Sequence, residues 1–185
     1  MDMKETIANH ARKLFDEHGY HGASLRDVCE LSGCKMPTIY YHYQNKENLF
    51  DEVVLKAFEE LVARLWEQLP DGSQTPHKEY FIEMVKQKKR ISEDERIIYR
   101  LALKTWLGFE GCDASRQKLI EWEDFAYRKT WESCADVIGS EKWAKFIARS
   151  VTGIIQRIIL LNEDVSDSEI EEEIGMIFDV ATHKI

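Results

Sequence analysis

Breakers are scarce in this chain of 185 residues, which has only 3 prolines and 9 glycines. So few interruptions favour long helices and argue against a sandwich or barrel of many short strands. No apolar run comes near the ~20 residues that a membrane span needs. The first residues mix acids with bases and lead into no apolar stretch, so no signal peptide is expected and the implied compartment is the cytoplasm. Disulfides are not expected there. Of the four cysteines, Cys29 and Cys34 are spaced too loosely for a zinc pair, and Cys112 and Cys134 supply no second pair. These thiols read as inert, with a redox switch at Cys29 or Cys34 as the other reading. His10, His18 and His21 share no helix face with a carboxylate cluster, so no metal site is expected, and no cofactor either. A nucleophile elbow, a glycine-rich phosphate loop and a metal-spaced His/Glu pair are all missing, which argues against an enzyme.

Positive charge is also in short supply. Lys and Arg number 25 against 34 Asp and Glu, a net charge of -9. The distribution matters more than the sum. Residues 1–50 hold 6 basic and 7 acidic side chains, a net -1, and the remainder carries -8. An acidic body behind a near-neutral head would keep a polyanion from sticking elsewhere on the surface, although acidity that serves only solubility would look the same. With 44% hydrophobic and 32% charged residues the chain reads as folded and soluble.

What is present is helical patterning from end to end. Ile7, Ala8, Ala11, Leu14 and Phe15 form one amphipathic stripe over Lys4–His18, and Gly19 supplies a left-handed stop. Ser24 opens a second helix with Asp27 three residues on, and Leu25, Val28, Cys29 and Leu31 give it an inner side. Ser32-Gly33 breaks it. A third helix begins near Lys35–Pro37, where a first-turn proline is tolerated. Two short helices joined by a tight glycine-containing turn form a helix-turn-helix pattern. Asn45 caps a fourth helix over Lys46–Leu69. Further helices are predicted from Thr75 or Pro76 to Ile91, from the capping box Ser92–Glu95 to Phe109, from Ser115 to Ile138, from Glu141 to Leu161 and from Ser168 to His183. The expected fold is all-α: a three-helix DNA-binding head over residues 1–48 and a larger helical domain over 49–185.

The run Thr38–Phe50 is the most informative part. Tyr40, Tyr41 and His42 offer hydrogen bonds to phosphate oxygens and Lys46 offers charge, the residue types that position a protein on a sugar-phosphate backbone. The alternative is an aromatic core helix that ends in Lys. Beyond residue 50 lie all five tryptophans, with many of the other rings. An aromatic-lined cavity is the usual seat of a small ligand, while rings that only fill a core give the same composition. Glu110, Glu121, Glu123 and Asp124 could line such a cavity and favour a cationic aromatic ligand, or could simply be a solvated face. Val151, Ile154, Ile155, Ile158 and Leu161 share one helix face. Ile170, Ile174, Ile177, Phe178 and Ala181 share another. Two such stripes on the last helices suit a four-helix seam between subunits, or packing within one chain.

The first fifty residues resemble the tetracycline-repressor (TetR) family of bacterial transcription regulators. The resemblance rests on Ala-x-x-Leu-Phe at Ala11–Phe15, on Gly19-Tyr20, on Ser24-Leu25-Arg26-Asp27-Val28 and on Gly33. It continues through Pro37–Tyr43 and Asn45-Lys46-Glu47-Asn48-Leu49. It implies a homodimer whose heads enter successive major grooves of a palindromic double-stranded DNA operator, with a small-molecule effector bound in the second domain and no membrane partner. By position, Ser24 and Tyr40 would contact phosphates with His42 and Lys46 beside them, and Lys35, Met36, Thr38 and Tyr41 would face base edges or nearby backbone. Lys35 stands where the family often has Ser, and Met36 where a polar or small residue is common. Met36 thus offers apolar contact, as to a thymine methyl, rather than a hydrogen bond. The resemblance also makes a cavity among Trp66, Tyr99, Trp106, Phe109, Glu110, Trp122 and Phe125 the expected ligand site. It makes Val151, Ile154, Ile155, Ile158, Ile174, Ile177 and Phe178 the expected dimer interface. The functional expectation is a repressor released from its operator by a small aromatic molecule, with a cation as the preferred guess. The alternative is a helix-turn-helix protein that binds DNA or protein partners architecturally, without an effector.

Overall fold

A computed structural model describes residues 2–71 and 77–182. The predicted helix start at Thr75 or Pro76 and the predicted end at His183 lie outside the described residues. Those residues are helical and contain no strand. The helices are α1 (Met3–Gly22), α2 (Leu25–Ser32), α3 (Met36–Tyr43), α4 (Lys46–Phe50), α5 (Ala57–Glu67), α6 (His77–Lys89), α7 (Glu93–Trp106), α8 (Asp113–Ile138), α9 (Glu141–Leu160) and α10 (Asp167–Thr182). A π-helical turn, Asp51–Lys56, joins α4 to α5 without a break. The predicted single helix from Lys46 is therefore continuous but locally underwound, and in that turn the Val53 carbonyl accepts a bond from Arg12 Nε at 2.8 Å.

The chain divides into two compact units. One holds Met1–Val62 and Ser92–Ile120, the other Ala63–Ile91 and Glu121–Ile185. In the first, α1 packs on α2, on the π turn and on α7, and α2 packs on α3. Ile7, Ala11, Leu14, Phe15, Val28, Ile39, Leu49 and Phe50 form its apolar centre. Phe50 meets both Phe15 and Tyr20 edge-on, at 5.0 and 5.1 Å between centroids. In the second unit, α6 packs on α9 and α10, which also pack on each other, around Phe81, Ile147, Val151, Ile170 and Ile174.

Local signals explain several helix ends. The Ser24 hydroxyl accepts from the Asp27 backbone N–H while the Asp27 carboxylate accepts from the Ser24 N–H, and Ser92 and Glu95 repeat that reciprocal box. Asn45 Oδ1 accepts from the Asn48 N–H at 2.7 Å. Gly19 has φ +73°, as its left-handed role requires, but one more helical turn follows it to Gly22. The turn survives because the Glu110 carboxylate accepts from the Tyr20 N–H at 2.7 Å, a donor the kink leaves orphaned.

Two glycines separate backbone strain from crowding. Gly139 (φ +67°) has open space where a Cβ would sit, whereas at Gly111 (φ +80°) a Cβ would lie 2.7 Å from the Thr105 methyl and 3.3 Å from Phe50. Gly139→Ala is expected to cost about 1 kcal/mol by conformation alone, and Gly111→Ala about 2–3 kcal/mol because a buried neighbour must move as well. Urea unfolding of both variants checks the difference. Equal losses would mean that the Gly111 turn relaxes freely.

Candidate nucleic-acid interface

The orientation of α3 follows from two buried residues. Ile39 is fully buried and Tyr43 nearly so, one turn apart on the same helix face. The Tyr43 hydroxyl donates to the Lys4 carbonyl at 3.0 Å, which fixes α3 against the start of α1. Burial pushes the Tyr43 phenol up to about 12, so it stays a donor at any working pH. Side chains on the opposite face point outward. Tyr41 is 84% exposed and Tyr40 51%, and Lys35, Pro37 and Gln44 are exposed with them. Met36, Thr38 and His42 are half-buried along the rim.

Two of the expected contacts also have partners within the chain. The Ser24 hydroxyl donates to Asp27 at 2.7 Å, so it works inside the capping box although the residue is exposed. Hydrogen bonds from Ser24 hold the Asp27 carboxyl below its usual value. Lys46 lies with its ammonium 4.5 Å from the Tyr20 ring centroid, half-buried, and burial lowers its pKa. Gln44 and Pro37 are exposed with Tyr40 and Tyr41, Arg26 is exposed on α2, and none of the three is among the expected contacts. Gln44 carries φ +65°, rare outside glycine, and Asn48 donates to its side chain at 3.4 Å. Continuing the outward spacing of Tyr40 and Tyr41 by one turn would have found it.

The head is anchored by polar bonds within its own unit. Asp16 receives both Arg100 Nε and Nη2, at 2.9 and 2.6 Å, with Lys104 at 3.4 Å. Burial alone would raise the Asp16 carboxyl, but the bonds and charge of Arg100 and Lys104 hold it below its usual value. Asp51 accepts from Ser115 at 2.6 Å and pairs with Lys118.

The residues expected to bind a ligand fall into the two units. Tyr99, Trp106, Phe109 and Glu110 lie in the first, and Trp66, Trp122 and Phe125 in the second. Tyr99 is buried edge-on against Phe58, Phe109 is 75% exposed, and Glu110 is engaged with Tyr20. Trp66 and Trp122 stack at 6.0 Å and 12°. Phe125 is exposed, with the Lys129 ammonium 5.5 Å from its ring. Glu123 is the carboxyl that burial, then Asp124, raises above its ordinary value. The expected interface residues Val151, Ile154, Ile155, Ile158, Ile174 and Phe178 are buried within their own chain, and Ile177 is half-buried. Among the described residues no group of three or more His, Cys, Asp or Glu could hold a metal ion, and no helix is long and apolar enough to cross a membrane.

Residues 7–53 match the profile of the family described as bacterial regulatory proteins, tetR family. That N-terminal segment is similar to the tetR family. Similar proteins include the HTH-type transcriptional regulator UidR of Escherichia coli K12, 35% identical over 63 residues, which are 34% of this chain and 32% of UidR. The icaADBC biofilm-operon negative regulator IcaR of Staphylococcus epidermidis is 39% identical over 56 residues, 30% of each chain. The chain thus covers about a third of the length of the curated relatives it matches. A solved structure of the TetR-family regulator PfmR from Thermus thermophilus superposes with a TM-score of 0.68 at 20% identity, covering 100% of this chain and 98% of that one. That likeness shows a shared all-helical fold over the described residues.

One charge beyond the head stands out. Lys88 on α6 is 4% exposed, and among the described residues its ammonium donates to the Met84 carbonyl at a long 3.4 Å. Burial lowers its pKa from 10.5 to about 8. The unfolded chain therefore holds the proton more tightly between those values, so stability rises with pH across that window and the penalty is complete below it. Each tenfold loss of proton affinity corresponds to about 1.4 kcal/mol, so Lys88→Met is expected to stabilise the protein by about 3 kcal/mol at pH 7. That advantage should fade as pH rises towards 10.5. Denaturation of both proteins across pH checks it. A Lys88→Met variant no more stable than its parent at pH 7 would show that the ammonium is compensated.

Proposed function

We propose that this protein is a ligand-responsive DNA-binding transcription regulator, most simply a repressor, acting as a homodimer on a palindromic operator in the cytoplasm. It is not an enzyme and needs no cofactor. Residues 1–48 read DNA, and residues 49–185 bind the effector and dimerise. The observation that carries the reading is the outward face of α3, where Tyr40 and Tyr41 stand exposed while Ile39 and Tyr43 are buried behind them. Exposed tyrosines on a short helix present hydroxyls and ring faces of the kind that contact a sugar-phosphate backbone. Tyr40 and Lys46 serve the phosphates, with Ser24 and His42 beside them. Lys35, Met36, Thr38 and Tyr41 face the base edges.

Effector response draws support from the way α7 and the loop after it grip the head. Asp16–Arg100 and Tyr20–Glu110 tie that segment to α1, on which α2 rests, so a displacement of α7 would be felt by the reading helix. The proposed effector is a small aromatic molecule. A preference for cations would rest on Glu121, Glu123 and Asp124 more than on Glu110. The architectural alternative gains from Tyr99 and Glu110, both committed to internal contacts.

For DNA contacts, Lys46→Ala is expected to weaken binding to all duplexes alike, whereas Tyr41→Ala relaxes discrimination by about 1–3 kcal/mol. Gel-shift titrations on selected and random duplexes separate the two. If both variants bind as the parent does, α3 is not the reading helix.

For association, Ile158→Glu would test folding rather than dimerisation, since Ile158 is 2% exposed in the single chain. The outward residues of the same helices are the better probes. A Cβ at Gly153 would meet open space, Met176 is 54% exposed and Val180 39%. Met176→Arg with Val180→Arg is expected to give a monomer of unchanged helix content and sharply reduced operator affinity, since an unpaired charge in a seam costs several kcal/mol. Light scattering that still reports a dimer would move the seam elsewhere.

A further inference from the structure

Three sulfur-bearing residues, Cys29, Cys34 and Met36, lie at the turn between α2 and α3. The end of α2 is a Schellman motif. Gly33 has φ +63°, its N–H donates to the Glu30 carbonyl at 3.3 Å, and the Cys34 N–H donates to the Cys29 carbonyl at 3.1 Å. That motif brings the side chains of its first and last residues together, usually as a hydrophobic contact. Here those residues are Cys29 and Cys34. The Cys29 sulfur also lies 3.4 Å from the Met36 thioether, on the first residue of α3.

Packing alone would be served by Leu or Ala at any of these positions. What the positions share is soft donor chemistry: two thiols and a thioether. Such a set suits neither magnesium nor calcium, which want oxygen, and is one donor short of the four that zinc takes in a structural site. Two thiolates with a thioether match a soft monovalent ion. Access is available, because Cys34 and Met36 are half-exposed while Cys29 is buried at 7%.

We propose that Cys29, Cys34 and Met36 form a binding site for a soft monovalent metal ion, copper(I) or silver(I), at the turn of the helix-turn-helix. On entry the ion replaces both thiol protons, which pass to solvent, and forms two metal–thiolate bonds and one metal–thioether bond. No electron is transferred. At metal–sulfur distances of ~2.3 Å, three sulfurs around one ion stand ~4 Å apart. The Cys29–Met36 contact must then widen from 3.4 Å by ~0.6 Å. Met36 opens the reading helix, so loading shifts that helix at its start and weakens operator binding.

The test uses the full chain carrying Cys112→Ser and Cys134→Ala, so that only the two turn thiols remain, under reducing conditions. Silver(I) is titrated by calorimetry in buffers of different protonation enthalpy, and copper(I) is presented from a competing chelator. The expected result is one ion per chain with two protons released, and an X-ray absorption shell on copper of three sulfurs. Cys34→Ser should abolish tight binding, and Met36→Leu should weaken it roughly 10–100-fold, the range for losing a supporting interaction at a metal site. Zinc(II) should not compete. Unchanged affinity in Cys34→Ser, or a shell of nitrogen and oxygen, would overturn the site. A second arm measures gel shifts with a duplex that the protein itself selects from a random pool. Silver(I) should weaken that complex in the parent and leave it unchanged in Cys34→Ser. Equal weakening in both would overturn the link to the reading helix. The calorimetric arm requires no DNA, so failure of the metal site and failure of the regulator reading are separable.

Discussion

The burial of Ile39 and Tyr43 behind α3 is the constraint on which the rest depends. Two apolar side chains one turn apart leave a short helix a single way to lie, and the hydrogen bond from Tyr43 to the Lys4 carbonyl removes the remaining freedom to roll. Everything else on α3 is thereby assigned an outward direction. An eight-residue helix has little stability of its own. Its orientation is therefore a property of the core beneath it, and a defect in that core would be felt first as a misplaced outward face.

α1 is the hub of the same unit. Its inner face fills the core, while its polar residues reach separate elements: Arg12 to the π turn, Asp16 to α7, and the Tyr20 amide to the loop after α7. The Asp16–Arg100 pair is bidentate and largely shielded, with 16% and 13% of the two side chains exposed. Such a pair is costly to break from one side only, because the surviving charge would stay buried. This makes the link between α1 and α7 a directional one, with fixed geometry rather than a greasy contact.

The sequence made the head legible because its signals are local. The reciprocal box at Ser24 and Asp27, the left-handed Gly33 and the cap at Asn45 are short-range chemistry, and all three occur where the pattern places them. The family motif adds the mutual arrangement that spacing alone leaves open. Long-range facts were not legible. Nothing near Glu110 in the chain announces that its carboxylate closes a kink 90 residues earlier. Likewise, the stripe of Val151, Ile154 and Ile158 reads the same whether a second subunit or α6 and α10 cover it, and here their own chain buries them. The π turn at Asp51–Lys56 left no mark because a single extra backbone residue barely disturbs a 3.6-residue period. Lys88 escaped for a similar reason: a lone lysine on an amphipathic helix is normally solvated.

The central claim is that the exposed face of α3 reads DNA as one half of a two-fold assembly. The most direct measurement is selection of duplexes from a random pool by the purified protein, followed by sequencing of what is retained. The account predicts one enriched motif with inverted-repeat symmetry, its half-sites spaced by about one helical turn of DNA, roughly 10–10.5 base pairs or a multiple of it. Recovery of an unenriched pool, or of a single asymmetric site bound by one chain, would contradict it.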